Sequence, residues 1–188
     1  MSVPPIASER LELVSLSPAI LGALLGGRRD EASALLGAAL PDGWPDEHDA
    51  GFLRRRLEQM QRDPEVEQWA VRGLVLTGGS PRPLIGHAGF HGPPGVNGPG
   101  AAEAVEVGYT VFPPWRGRGL ATEAVVSLLD WVRSERGIRH VVASVAPGNE
   151  PSLALVRRLG FVQTGEQWDE EDGLELVFEL GERRATPP

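Results

Sequence analysis

The spacing of apolar positions changes along the chain and predicts both strands and helices. Residues 104–112 alternate strictly, as in a strand with two different faces. One of these faces carries Val105, Val107, Tyr109 and Val111. From Gly119 to about Glu135 the apolar residues recur every three to four positions, which predicts a helix. A nearly continuous apolar run at residues 138–145 is typical of a central strand covered on both faces.

The other segments complete the predicted order β-α-α-α-β-β-β-α-β-α-β-β. Further strands are predicted at residues 10–14, 66–76, 83–90, 161–165 and 174–180. Two short helices are predicted at residues 18–25 and 31–40. A third helix is predicted from a cap at Asp46 or Asp49 to about Arg62, and another begins at Pro151 after a cap at Asn149 or Glu150. This is an α/β (α+β) pattern, a mixed sheet flanked by helices. The 188 residues suit a single domain, with a core at about 10–180 and a frayed tail at 181–188.

The composition excludes several kinds of chemistry. The chain contains no cysteine, and all 18 of its basic residues are arginine. Thiol nucleophiles, cysteine-ligated zinc, lysine Schiff bases and lysine-dependent phosphate loops are therefore excluded. The four histidines lack the spacing of metal ligands, so no metal is expected.

The net charge of −8 disfavours nonspecific binding to nucleic acid or to an anionic membrane. It is compatible with a cationic amine as substrate. No signal peptide is apparent, and no apolar run approaches the ~20 residues that a membrane span needs. We therefore expect a cytoplasmic protein.

A glycine-spaced turn between the strand at 104–112 and the following helix is the most informative segment. Free N–H groups at such a turn, together with the helix dipole, form an anion site. Gly117 and Gly119 would let a phosphate approach the backbone, and Arg116 and Arg118 would add charged donors. A dinucleotide fingerprint fits poorly, because Thr122 stands where a third small residue belongs and no acid occurs at 139–145. A plain strand-to-helix turn with solvated arginines is the alternative.

The motif Arg116-x-x-Gly119-x-Ala121 resembles the Gln/Arg-x-x-Gly-x-Gly/Ala signature of the GNAT superfamily of N-acetyltransferases. The surrounding sequence resembles the branch that includes ribosomal-protein-alanine N-acetyltransferases. Three blocks carry this resemblance: Glu106 to Tyr109, Trp115 to Ala124, and Asn149 to Ser152 followed by Leu159-Gly160-Phe161. It extends over about residues 10–180 and is weakest at 18–62, which normally shapes the acceptor pocket.

The resemblance implies a GNAT fold, with a mostly antiparallel sheet of about six to seven strands and a splayed central pair. It implies an acetyl-CoA-dependent N-acetyltransferase in which a primary amine, on a small molecule or a protein N-terminus, attacks directly in a ternary complex. A monomer or a homodimer is expected. A non-catalytic acyl-CoA-binding module is one alternative, and a nicotinamide-binding enzyme is another.

The resemblance also assigns roles to residues. Acetyl-CoA would contact Val111, Phe112, Arg116, Gly117, Arg118, Gly119, Leu120, Ala121, Thr122 and Asn149. The backbone N–H of Val111 would bind the acetyl oxygen, and Asn149 would bind the pantetheine amide.

Two side chains are candidates for proton transfer. Glu106 is the expected general base, with a pKa raised by partial burial, or else it is a structural acid. Ser152 would replace the usual tyrosine acid, whose position holds Val156, or else its hydroxyl satisfies the first turn of a helix. Trp44, Phe90 and Tyr109 could line the acceptor pocket, although aromatic residues more often belong to the core.

Overall fold

A computed structural model describes residues 3–170 and 173–181 of the chain. The predicted tail therefore lies outside the described residues, except for Gly181. Backbone contacts divide the chain into two compact units, each built from two stretches of sequence. The first unit comprises Met1–Gly89 and Tyr109–Leu128, and the second comprises Phe90–Gly108 and Leu129–Pro188. The prediction of a single domain stays a prediction.

The first unit is a set of antiparallel strands with three helices. Its strands are β1 (Ile6–Ala7), β2 (Leu11–Ser15), β3 (Arg72–Leu76) and β4 (Leu84–Phe90), paired in the order β1-β2-β3-β4. Its helices are α1 (Pro18–Leu25), α2 (Arg29–Leu36) and α3 (Glu47–Arg62). Strand β5 (Val105–Val111) begins in the second unit and ends in the first, whereas helix α4 (Leu120–Arg136) begins in the first and ends in the second.

Local sequence determines where these helices begin. The side chain of Ser17 caps α1 by accepting a hydrogen bond from the N–H of Ile20, and Pro18 occupies the first turn. Asp46 caps α3 in the same way, accepting from the N–H of Asp49 at 2.9 Å. The apolar faces of the three helices and of β3 then form one buried cluster, which includes Leu21, Leu36, Trp44, Leu53 and Met60. This cluster holds the first unit together by burying apolar surface.

The second unit combines one parallel pair of strands with antiparallel pairs. It contains β6 (Val141–Val145), α5 (Glu150–Arg158), β7 (Val162–Asp169) and β8 (Gly173–Leu180). The start of β5 pairs in parallel with the start of β6, at Val105 with Val141 and at Glu106 with Val142. Strand β8 pairs antiparallel with both β6 and β7. The order in this unit is β5-β6-β8-β7.

The predicted class, a mixed and mostly antiparallel α/β fold, is confirmed, with eight strands in the described residues rather than six or seven. The additional strand β1 has two residues, too few to show a periodic pattern. No helix in the described ranges has the length and apolar character needed to cross a membrane.

Several predicted elements have the wrong bounds. Strand β6 begins at Val141 rather than at residue 138, and β7 extends to Asp169 rather than ending at residue 165. The strand expected at 66–76 is a 3₁₀ turn at Pro64–Gln68 followed by β3, because Asp63 accepts the N–H of Glu65 and the proline favours a helical first turn. The helix expected at 31–40 is α2, which ends at Leu36 because Gly37 takes the left-handed conformation with φ of 68°.

Candidate functional site

The glycine turn lies in the first unit, between the end of β5 and the start of α4. Gly117 has φ of 74° and Gly119 has φ of 76°, which is the left-handed conformation that side chains disfavour. A Cβ at Gly117 would meet no heavy atom of residues 3–170 and 173–181 within 4 Å, so these residues leave the space beside this backbone open. An open, positive-φ backbone at a helix N-terminus fits a phosphate group.

Both arginines of the turn contact the segment that precedes α4. Arg116 donates from Nε to the carbonyl of Val111 at 2.8 Å, which ties the turn to the last residue of β5. Arg118 donates to the carbonyl of Pro114 at 3.0 Å and lies over the ring of Trp115, 5.0 Å from its centroid. These contacts hold two positive charges beside the open glycine backbone.

Arg10 is a further part of this turn that the sequence did not reveal. Its Nε donates to Oε2 of Glu123 at 2.7 Å, and its Nη1 donates to the carbonyl of Arg118 at 3.1 Å. Burial disfavours the ionised form of Glu123, but hydrogen bonds from Ser8 and Arg10 outweigh it and lower the pKa of this carboxyl below its ordinary value. Arg10 thus balances an acidic charge in the first turn of α4. Its separation from the turn by more than a hundred residues left no local signal.

Glu106 lies in the second unit and is almost completely buried, with an exposed fraction of 1%. Its Oε2 accepts the N–H of Gly98 at 2.6 Å and lies 3.4 Å from Nδ1 of His91. Burial favours the neutral acid, but hydrogen bonds from His91, Ser144 and Gly98, with the charge of His91, outweigh it and lower the pKa of Glu106 to about 2. The expectation that burial raises this pKa is wrong, because the sequence does not show the donors around the carboxylate.

The N-terminus of α5, also in the second unit, places Asn149 and Ser152 one turn apart. Oδ1 of Asn149 accepts the backbone N–H of Ser152 at 3.3 Å, so Asn149 is the cap of this helix. The amide nitrogen of Asn149 does not take part in this cap and can donate a hydrogen bond to another group. Ser152 is half-buried, and Val156, in the position of the usual tyrosine, is buried in the core.

The three predicted pocket aromatics have different surroundings. Trp44 lies in the first unit, with its ring 5.6 Å from that of Phe112, and its buried Nε1 has no hydrogen-bond partner among the described residues. Phe90 is 2% exposed and stacks on Trp131 within the second unit, 6.1 Å between centroids, as a core residue does. Tyr109 is half-buried on β5.

A group around His87 in the first unit was not predicted as part of a pocket. His87 stacks on Phe52 at 5.3 Å and packs edge-on against Phe112 at 6.3 Å. Its Nε2 lies 3.7 Å from Oδ1 of Asp49, and this contact is the main reason that the pKa of Asp49 is lowered. Strand periodicity places His87 on β4 but gives no sign of these partners from α3.

The structure therefore brings the predicted cofactor residues from Val111 to Thr122 together in the first unit. It places Glu106, Asn149 and Ser152 in the second.

Comparison with known proteins connects these features to a family. The family model described as "Acetyltransferase (GNAT) domain" matches residues 10–162. The N-acetyltransferase p20 of Bacillus licheniformis, which is uncharacterised, is 31% identical over 111 residues, 59% of each chain. The [ribosomal protein uS5]-alanine N-acetyltransferase of Escherichia coli is 32% identical over 66 residues, 35% of this chain and 34% of that protein. The chain thus spans less than two thirds of the length of these curated relatives.

Solved structures show the same architecture. A GnaT-family acetyltransferase from Bordetella pertussis has a TM-score of 0.65 and 26% sequence identity, covering 94% of this chain and 99% of its own. RimL, a ribosomal L7/L12 alpha-N-protein acetyltransferase, has a TM-score of 0.62 at 18% identity, covering 95% of this chain and 94% of its own. At 18% identity, the similarity to RimL shows a shared fold alone.

Proposed function

This chain belongs to the GNAT acetyltransferase family, and from that premise we propose that it is an acetyl-CoA-dependent N-acetyltransferase acting on a primary amine. The observation that carries the proposal is the glycine turn, where two positive-φ glycines open the backbone at the start of α4 beside Arg116 and Arg118. This turn provides what a pyrophosphate needs, namely accessible N–H groups, a helix dipole and fixed positive charge.

The turn and the end of β5 would bind most of the acetyl-CoA. The residues proposed to contact it are Val111, Phe112, Arg116, Gly117, Arg118, Gly119, Leu120, Ala121, Thr122 and Asn149. The N–H of Val111 would donate to the acetyl oxygen as negative charge develops there, and the amide nitrogen of Asn149 would bind the pantetheine. Such preorganised donors are a main source of rate enhancement in acyl transfer.

Acetyl transfer requires that the amine lose a proton and that the thiol leave. The amine nitrogen attacks the thioester carbon, the carbon–sulfur bond breaks, and CoA departs as a thiolate. Glu106 is the proposed source of general-base catalysis, which removes the proton from the amine. Ser152 is the proposed proton donor to the departing thiolate. Because an ordinary thiol has a pKa of ~8.5, the departing sulfur needs only modest help, so replacing the usual tyrosine by Val156 is compatible with catalysis.

The acceptor is proposed to be an amine on a small molecule or a protein N-terminus. Trp44 is a candidate for its pocket, since its buried indole N–H has no partner in the part of the chain that the structure describes and could donate to an acceptor atom on a ligand. Tyr109 remains a candidate, whereas the packing of Phe90 against Trp131 favours a core role. A net charge of −8 favours the approach of a cationic amine.

Release of free CoA thiol in the presence of acetyl-CoA tests this proposal. The amine panel should contain small primary amines and short peptides with free N-terminal alanine or serine, with N-terminally blocked peptides as the matched control. We expect thiol release with at least one free amine and none with its blocked form. Binding of acetyl-CoA without release for any amine would favour the non-catalytic module, for which Val156 is the supporting observation.

A further inference from the structure

The surroundings of Glu106 are unusual for a group that receives a proton directly from substrate. The carboxylate is 1% exposed, and it already accepts hydrogen bonds from Gly98, Ser144 and His91. An ionised carboxyl can only accept, so each of these bonds uses part of its capacity. With a pKa of about 2, it also has little tendency to take up a further proton near neutral pH.

His91 lies beside Glu106 and reaches away from it. Its Nδ1 is 3.4 Å from Oε2 of the carboxylate, and 43% of the side chain is exposed. Because the carboxylate can only accept, Nδ1 carries the hydrogen of this contact, and Nε2 is the ring nitrogen left to accept a proton from substrate. This arrangement, a histidine oriented by an acid, suits proton transfer.

The imidazole of His91 passes close to Gly108. A Cβ built on Gly108 would lie 3.3 Å from Nε2 of His91 and 3.7 Å from its Cδ2. The ring therefore extends along β5 from Glu106 to Gly108, on the face these two residues share, with Nε2 toward the C-terminal end of the strand. A side chain at Gly108 would press on the ring and shift it by a few tenths of an ångström.

We propose that His91 receives the proton of the acceptor amine at Nε2 and that Glu106 is a positioning residue that acts through it. This inference rests on the proposed acetyltransferase function and refines the role of Glu106 within it. As the nitrogen–carbon bond forms and the carbon–sulfur bond breaks, the amine proton passes to Nε2. The Nδ1–H stays hydrogen-bonded to Glu106, which stabilises the resulting imidazolium.

A double-mutant cycle distinguishes this relay from direct action of Glu106. We expect His91→Ala to lower kcat by roughly 100-fold, the lower range for loss of a general base, with the affinity for acetyl-CoA unchanged. Glu106→Gln should lower kcat by roughly tenfold or more. The double variant His91→Ala/Glu106→Gln should be no slower than His91→Ala alone, because Glu106 has nothing to orient once the ring is absent.

Two further measurements separate a chemical role from a structural one. Added imidazole should raise the rate of His91→Ala and leave that of His140→Ala unchanged. His140 is the matched control, since its Nε2 pairs with Glu179 at 3.0 Å in the same unit and its removal should not affect kcat. Gly108→Ala should lower kcat severalfold by displacing the ring, with both partners still present.

A rate for His91→Ala within twofold of the wild type would overturn the proposal. A second result would also overturn it: the double variant has a lower kcat than His91→Ala, by the same factor by which Glu106→Gln alone lowers the wild-type kcat. That result is expected if the amine proton passes directly to the carboxylate. Failure of the proposed function has a different signature, because the wild type itself would then release no CoA with any amine. Thermal unfolding and acetyl-CoA titration of each variant verify that it is folded.

Discussion

The carboxylate of Glu106 is kept ionised by its neighbours, and this connects protein stability with pH. Its folded pKa of about 2 lies below the ordinary value of 4.5. The ionised group therefore contributes its full stabilisation above about pH 4.5, and this is lost as the pH falls through about 2. A shift of this size corresponds to about 3 kcal/mol of differential stability.

Glu106→Gln should remove this pH dependence, because glutamine does not titrate. We expect the free energy of unfolding of the wild type to fall relative to that of Glu106→Gln as the pH decreases from 5 to 3. Urea titrations at several pH values measure this difference. Glu103→Gln, at an exposed acid just before β5, is the matched control and should follow the wild type. Parallel curves for Glu106→Gln and the wild type would contradict the assignment of the pKa.

The sequence could identify Glu106 but not its state. A lone acid in an apolar strand is visible as a pattern, and its burial follows from the strand being covered. Its donors come from the loop after β4 and from β6, where Ser144 is 38 residues away. Whether burial or hydrogen bonding decides a pKa depends on such distant partners, so the sign of the shift could not be deduced.

At the turn before α4, a substitution can affect both the backbone conformation and ligand binding, and a control variant separates the two effects. Gly119 has φ of 76°, so a side chain there strains the backbone and also obstructs the proposed phosphate site. Gly119→Val should weaken acetyl-CoA binding at least tenfold. Gly27→Val is the matched control, since Gly27 has φ of 72°. A Cβ at Gly27 would meet no heavy atom of the described residues within 4 Å, and one at Gly119 would make only an ordinary contact with Nη2 of Arg10 at 3.6 Å.

Both valine variants should lose a similar amount of stability, about 1–2 kcal/mol, from the left-handed backbone. Only Gly119→Val should lose affinity in calorimetric titration with acetyl-CoA. Equal affinities of the two folded variants would show that the turn does not bind the pyrophosphate.

Two residues at the start of α5 have different expected roles: Asn149 caps the helix, and Ser152 is the proposed proton donor. Asn149 accepts the N–H of Ser152 through its side chain, so Asn149→Ala should cost about 1 kcal/mol of stability. Ser152→Ala leaves that cap in place and should lower kcat by less than tenfold, since a thiolate needs little assistance. Denaturant unfolding and kcat for the two variants check this. A loss of kcat above 100-fold for Ser152→Ala would contradict so modest a role.

The starts of α1 and α3, which carry chemical signals, were predicted well. The caps Ser17 and Asp46 and the proline after Ser17 define the starts of α1 and α3 within the printed sequence. The single strand predicted at residues 66–76 was wrong. An apolar run of that length does not distinguish a 3₁₀ turn followed by a strand from one continuous strand.

For the whole molecule, the sequence predicted the family and the fold class but not the acceptor. The family is evident in local motifs that the backbone conformation requires, such as the glycines of the turn. Such a motif can be identified in the sequence without knowing which distant residues contact it. The side chains that could recognise an acceptor come from separate segments. Trp44 precedes α3, His87 is on β4 and Phe112 follows β5, and their packing arises only when the first unit folds.

Ligand-induced stabilisation tests the assignment at the level of the whole chain. A ligand present at 100 times its Kd stabilises the folded state by about 2.7 kcal/mol, provided that it does not bind the unfolded chain. For a protein of this size, that corresponds to an increase in Tm of about 5–10 °C. We expect acetyl-CoA to produce this increase and NADH at the same concentration to produce none, because the chain lacks an acid for the ribose at residues 139–145. Differential scanning calorimetry at fixed ionic strength measures both. A Tm unmoved by saturating acetyl-CoA would remove the basis of the proposed function, and a larger increase with NADH would favour a nicotinamide-binding enzyme instead.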